Sequence, residues 1–207
     1  MIDFYLIRTA NGQKVAIVLE ELGLAYRVHE LKSGDPFKDS PEYRAIHPQG
    51  KLPAIVDTEG PDGKPITVFQ SLAIGLYLAE KTGRLLPTDP RARTEAYIYA
   101  AVTATDLTPN LAVQYFTTLR AKSDVSEATG FVVSEAKRAL HAIDLRLGAV
   151  PYLAGSEFSL ADALTFPLMA TSVQRLPDGF RPYANIARWF DLVGQRPGVK
   201  RGMAISR

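Results

Sequence analysis

No cysteine occurs anywhere in the 207 residues, which removes disulfides, thiolate metal sites and a cysteine nucleophile, and suits a reducing compartment. Histidine is nearly as scarce: His29, His47 and His141 stand far apart without ligand spacing, so no metal site is expected. Neither sign of charge dominates. Lys plus Arg number 24 against 22 Asp plus Glu, mixed along the chain, so nothing builds a surface that tracks phosphates and no nucleic-acid partner is expected. No apolar run approaches the roughly 20 residues of a membrane span, and Met1 to Ile7 show neither a basic region nor a cleavage site. The expectation is a soluble, cytoplasmic protein with no membrane partner. Repeats and low-complexity tracts are also missing. What the chain does have is 46% hydrophobic residues, enough for a sizeable core without covalent staples.

Those apolar residues change period along the chain. Asp3 to Ile7 reads as a strand; Val15, Val18, Leu19 and Leu22 then share one helical face, which Gly23 ends. Ala25 to Leu31 returns as a strand, completing a βαβ unit. After a loop-like stretch from Ser33, Ser40 and Pro41 can start a short helix. Leu52–Asp57 and Ile66–Phe69 read as an antiparallel pair across a turn rich in Gly, Pro and Asp. A helix from Leu72 to Thr82 follows, with Ser71 as its N-cap and Gly83 as its stop. Residues 1–83 thus form an α/β domain. Gly83 to Arg91 is a linker in which Asp89 and Pro90 cap and open a new helix. Beyond it the pattern is helical: Ala136, Leu140, Ile143 and Leu147 lie on one stripe, and Ile186, Trp189, Phe190 and Val193 on another. Residues 91–207 are expected to be all-helical, with Pro109 kinking or ending a long helix.

Three short segments of the α/β half offer chemistry. In P48-Q-G-K-L-P-A-I-V-D57, Pro53 cannot donate to a sheet ladder, so an edge position or a cis Leu52–Pro53 bond is expected, with the Leu52 backbone open to an extended ligand. An ordinary edge-strand proline fits equally well. In F69-Q-S-L-A-I74, Ser71 at a helix start offers a hydroxyl and unpaired N–H groups to a carboxylate, with Gln70 alongside. In T9-A-N-G12, a hydroxyl, an amide and a helix N-terminus converge in a way that favours an anion, including a thiolate. Taken singly, each of these last two is more often a cap than a site.

Together they resemble a known arrangement. "HPQGKLPAIVD", "FQSLAIGLYLAEKTG", "GSEFSLADA" and "YANIARWFDLVGQRPGV" are similar to the motifs of the cytosolic glutathione transferases. That resemblance implies a thioredoxin-like N-terminal domain and an all-α C-terminal domain. It makes Ser159 and Asp162 a capping box with a folding role. "TANGQK" looks most like the nu class, whose members use Thr and Asn where other classes use Tyr, Ser or Cys, and which act chiefly as disulfide-bond reductases. The resemblance then makes Thr9 and Asn11 the catalytic pair, and Gln49, Lys51, Leu52, Pro53, Gln70 and Ser71 the glutathione-binding set. Leu52 would pair through its backbone with the cysteinyl part, and Gln70 and Ser71 would hold the γ-glutamyl end. Gln70 stands where the nu class commonly has Glu, though Gln is usual there in several other classes. A homodimer is implied as well.

Without a cysteine, a thioredoxin-like domain needs a ligand that brings the thiol. Only the thiolate attacks, so the protein's task is to favour ionisation of glutathione near pH 7. Donation from Thr9 and Asn11 to sulfur achieves this without a titrating base, whereas Tyr5, four residues earlier in the strand, is read as structural. The second substrate is a small electrophile or a disulfide, for which Tyr97, Tyr99, Thr105 and Tyr115 are candidate pocket walls, although aromatic residues at helical spacing are more often core. A rival reading is a non-catalytic binding or regulatory module on the same fold.

Overall fold

β1 (Ile2–Leu6) alternates strictly: Ile2, Phe4 and Leu6 are buried on one face, and Asp3 and Tyr5 point to the other. The computed structural model describes residues 1–173, 176 and 178–205. These divide into two compact units, Met1–Leu85 together with the segment from Gln195 on, and Leu86–Gly194.

In the first unit α1 (Ala10–Leu22) returns the chain to β2 (Tyr26–Glu30), which runs parallel to β1 with Tyr5 opposite His29. β3 (Ala54–Asp57) pairs antiparallel with β1, and β4 (Ile66–Phe69) antiparallel with β3, giving the order β2-β1-β3-β4. α2 (Pro41–Ile46) starts at Ser40, whose hydroxyl accepts from Tyr43 N–H. It brings the buried Tyr43 against Leu31, Ala54, Tyr5, Leu52 and Phe69. α3 (Ser71–Thr82) packs against α1, and both helices end where expected, at Gly83 and Gly23.

α1 is buried on every side from Val15 to Leu19, more than a single apolar stripe requires. The reason is α9 (Pro197–Met203), which lies across it. At Gly202 a Cβ would sit 2.6 Å from the Ile17 backbone, so only glycine permits this approach. Arg196 donates twice to Glu21, Arg201 donates to Glu20, and Gln13 Nε2 donates to the Met203 carbonyl at 3.2 Å. The sequence pattern grouped this last segment with the helical half; here it completes the core around α1.

The second unit holds α4 (Pro90–Ala101), α5 (Thr108–Arg120), α6 (Ser126–Ala149), α7 (Leu160–Thr171) and α8 (Ala184–Gly194). Asp89 caps α4 by accepting from Ala92 N–H. Pro109 neither ends nor breaks the helical path. A π-helical turn, Val102–Leu107, precedes it, and the Thr108 hydroxyl donates to the Thr103 carbonyl. The wider turn accommodates a ring that would clash with a carbonyl in a regular α-helix. The two expected stripes face inward: Ala136, Leu140, Ile143 and Leu147 are buried, as are Ile186, Trp189 and Val193, while Phe190 stacks on Phe166.

Asp162 closes the capping box of α7. Its carboxylate accepts from the N–H and hydroxyl of Ser159, from Leu153 N–H and from Trp189 Nε1, all at 2.8–2.9 Å. Burial pushes its pKa up, opposed by these donors. Among the described residues no helix is long and apolar enough to cross a membrane.

Candidate functional site

The register places three chain segments at one end of the sheet. Tyr5 lies opposite Ala54, and Ala54 opposite Phe69. Thr9 and Asn11 therefore follow the C-terminal end of β1, Leu52 and Pro53 enter β3, and Gln70 and Ser71 leave β4, all at the same edge. Two strand spacings separate the outer two, ~10 Å, the length of an extended tripeptide.

The α1 end is drawn tight against β1. A Cβ on Gly12 would lie 2.4 Å from the Ile7 carbonyl oxygen, so a larger residue would push the helix start away from the strand. Thr9 occupies the N-cap position with extended backbone, yet its side chain caps nothing. Among the described residues its hydroxyl reaches only the Ile7 carbonyl, at 3.5 Å, the outer limit of a hydrogen bond. Thr9 is exposed, so the hydroxyl is available to a ligand. The first intrahelical bond runs from Gln13 N–H to the Thr9 carbonyl, leaving the N–H groups of Ala10, Asn11 and Gly12 at the positive helix end. Asn11 is held by Lys14, whose ammonium donates to Oδ1 at 2.9 Å. Lys14 is 2% exposed, and burial holds its pKa down to about 7. Sequence reasoning passed over Lys14. The signal was there: a lysine directly before the unbroken apolar run Val15–Leu19.

At the centre of the edge, the Leu52–Pro53 peptide bond is cis. Among the described residues none hydrogen-bonds the Leu52 backbone. The neighbouring carbonyl of Lys51 accepts from the Tyr43 hydroxyl at 2.8 Å, anchoring the loop to α2. Gln49 and Lys51 are exposed and Pro53 is buried.

At α3, Ser71 is the first helical residue rather than the N-cap, which is Gln70. Gln70 adopts φ 72°, a conformation rare outside glycine, and its carbonyl accepts from Ile74 N–H at 2.9 Å. The turn forced at Gln70 shifts the helix start back by one residue and leaves the N–H groups of Ser71, Leu72 and Ala73 without intrahelical acceptors. Strained backbone of this kind concentrates at ligand sites.

Tyr5 is engaged by its aromatic neighbours. Its ring stacks on His29 at 4.5 Å and packs against Tyr43, and burial, followed by the Asp3 charge, pushes its phenol up. Such a group suits the core better than thiol activation. Asp57 is a second buried carboxylate, contacted by Lys81 at 2.5 Å and Tyr77 at 2.7 Å. Burial raises its pKa, but these donors outweigh that and hold it low, which ties the end of β3 to α3. Of the four candidate pocket walls in the other unit, none is buried: Tyr97 and Thr105 are exposed, and Tyr99 and Tyr115 are half-buried. Among the described residues no group of three His, Asp or Glu side chains is placed to hold a metal.

Comparison with known proteins gives a consistent result. Residues 10–81 match the glutathione S-transferase N-terminal domain, and residues 110–197 its C-terminal domain. The chain is 32% identical to the disulfide-bond oxidoreductase YfcG of Escherichia coli, over 98% of this chain and 94% of that protein. It superposes with a TM-score of 0.93 on a Pseudomonas putida glutathione transferase carrying one glutathione disulfide per subunit, at 32% identity, covering 100% of this chain and 92% of the other. A Burkholderia graminis glutathione transferase with two glutathione molecules per subunit gives 0.92 at 33% identity, covering 100% and 88%.

Proposed function

Since the chain belongs to the glutathione S-transferase family, we propose that it binds glutathione along this sheet edge and lowers its thiol pKa for reduction of disulfides. The observation that carries the reading is the Thr9 hydroxyl, which sits at a helix N-cap without capping it. An uncommitted donor beside the positive end of a helix is suited to an anion. Asn11 adds a second donor through Nδ2, since its oxygen is already engaged by Lys14. Leu52 offers the cysteinyl part a backbone N–H and carbonyl that pair with none of the described residues, and Gln70, Ser71 and the open N–H groups of α3 take the γ-glutamyl carboxylate. Gln49, Lys51 and Pro53 flank the middle of the tripeptide.

The reaction then balances without any thiol from the protein. The glutathione thiolate attacks one sulfur of the substrate disulfide, forming a mixed disulfide and expelling a thiolate, which takes up a proton. A second glutathione attacks the mixed disulfide, releasing glutathione disulfide and the second substrate thiol. Two glutathiones supply both electrons. Relatives that hold one glutathione disulfide or two glutathiones per subunit support a site of that stoichiometry. Conjugation to a small electrophile uses the same thiolate. The family resemblance also implies a homodimer, against which a monomer by light scattering would count, and the chemistry suits a cytoplasm rich in reduced glutathione.

Ser71→Ala is expected to raise the glutathione dissociation constant about tenfold, the equivalent of one charge-assisted hydrogen bond, while the rate at saturation changes little. Calorimetric titration checks this, and an unchanged dissociation constant would remove Ser71 from the site.

A further inference from the structure

We propose that Lys14 is a positioning residue for Asn11: by donating to Oδ1 it fixes the amide so that Nδ2, a donor, is the atom left to face the glutathione sulfur. The inference deepens the function proposed above and rests on Asn11 meeting that sulfur. An asparagine amide presents either an acceptor or a donor depending on a half-turn about its last bond, and for a thiolate the two are opposite in effect. A free amide would sample both. While Lys14 is charged, its ammonium has three donors and no acceptor, so the atom it meets at 2.9 Å is the amide oxygen. The orientation of Asn11 is therefore dictated by its partner.

The Lys14 side chain is almost wholly buried in a helix whose next five residues are all buried and apolar, so keeping an ammonium there carries a desolvation cost. That cost shows in the direction of its pKa, pushed down by burial. Asn11 and Lys14 stand three residues apart and so share one face of α1. Together with the close approach at Gly12, which fixes the first turn of α1 against Ile7, the pair sets where a donor appears and which donor it is.

The test is a double-mutant cycle read by the sulfur pKa of bound glutathione, from thiolate ultraviolet absorbance against pH. Asn11→Ala is expected to raise that pKa by about one pH unit, the effect of one charge-assisted hydrogen bond. Lys14→Met is expected to raise it comparably, and the double variant to match Asn11→Ala alone, because Lys14 acts through Asn11. An additive double variant, or a Lys14→Met protein with the wild-type sulfur pKa, would overturn the proposal while leaving Asn11 at the sulfur. An Asn11→Ala protein with an unchanged sulfur pKa would overturn the Asn11 role and this inference with it. Lys14→Gln, a neutral donor, enters the same cycle if the methionine variant does not fold. Failure of both to fold would place Lys14 in the core rather than the site and overturn the proposal.

Discussion

Asp162→Ala is expected to destabilise the protein by about 4 kcal/mol or more, a large share of the about 5–15 kcal/mol that holds a domain folded. The carboxylate is fully buried and accepts four hydrogen bonds, from Leu153 N–H, Ser159 N–H, the Ser159 hydroxyl and Trp189 Nε1. Alanine leaves three N–H donors buried without acceptors, at about 1–3 kcal/mol each, and removes half of the capping box of α7 as well. Because the donors come from the turn before α7, its N-cap and α8, the damage spreads through the unit Leu86–Gly194. Asp162→Asn, which keeps one acceptor oxygen and the shape, is expected to lose less. Urea denaturation followed by circular dichroism measures both. A loss under about 1 kcal/mol for the alanine variant would mean that these bonds do not hold α7 in place.

Thr9→Ala is expected to act on rate rather than stability. Its hydroxyl is exposed and makes only one long intramolecular contact, so removing it leaves the fold intact. If that hydroxyl donates to the sulfur anion, the bond contributes about 1.5–3 kcal/mol. Its loss then lowers turnover roughly 10–150-fold. The KM for glutathione should change little, since Gln70, Ser71 and Leu52 hold the rest of the tripeptide, and Thr9→Ser should retain most of the activity. Ser71→Ala shows the reverse split, weaker binding with turnover preserved. Steady-state kinetics with a disulfide substrate separates the two patterns. Equal turnover for Thr9→Ala and wild type, with Tyr5→Phe inactive, would move the role to Tyr5.

The sheet, α1 and the long stripes of α6 and α8 were legible because their apolar residues repeat at one period over several turns or strands. The capping box was legible because Ser159 and Asp162 are local, three residues apart. What escaped the sequence was non-local or set by backbone geometry. The contact of α9 with α1 depends on Gly202 meeting Ile17, 185 positions away, and no periodicity encodes such a distance. The start of α3 fell one residue earlier because Gln70 takes a positive φ, a conformation that residue type does not announce. At Pro109 the pattern suggests a kink or an end, because a π turn upstream of it cannot be seen there. At the site, Thr9, Asn11 and Ser71 stood out by residue type at helix starts. Lys14 did not, since its significance lies in being buried against Asn11.

The central claim is that this chain binds glutathione and holds it as a thiolate. The most direct test is a titration of the purified protein with glutathione, following heat and thiolate absorbance together across pH. The account predicts saturable binding with a sulfur pKa clearly below the ~8.5 of a free thiol. Binding with an unshifted sulfur pKa, or no binding, would contradict it.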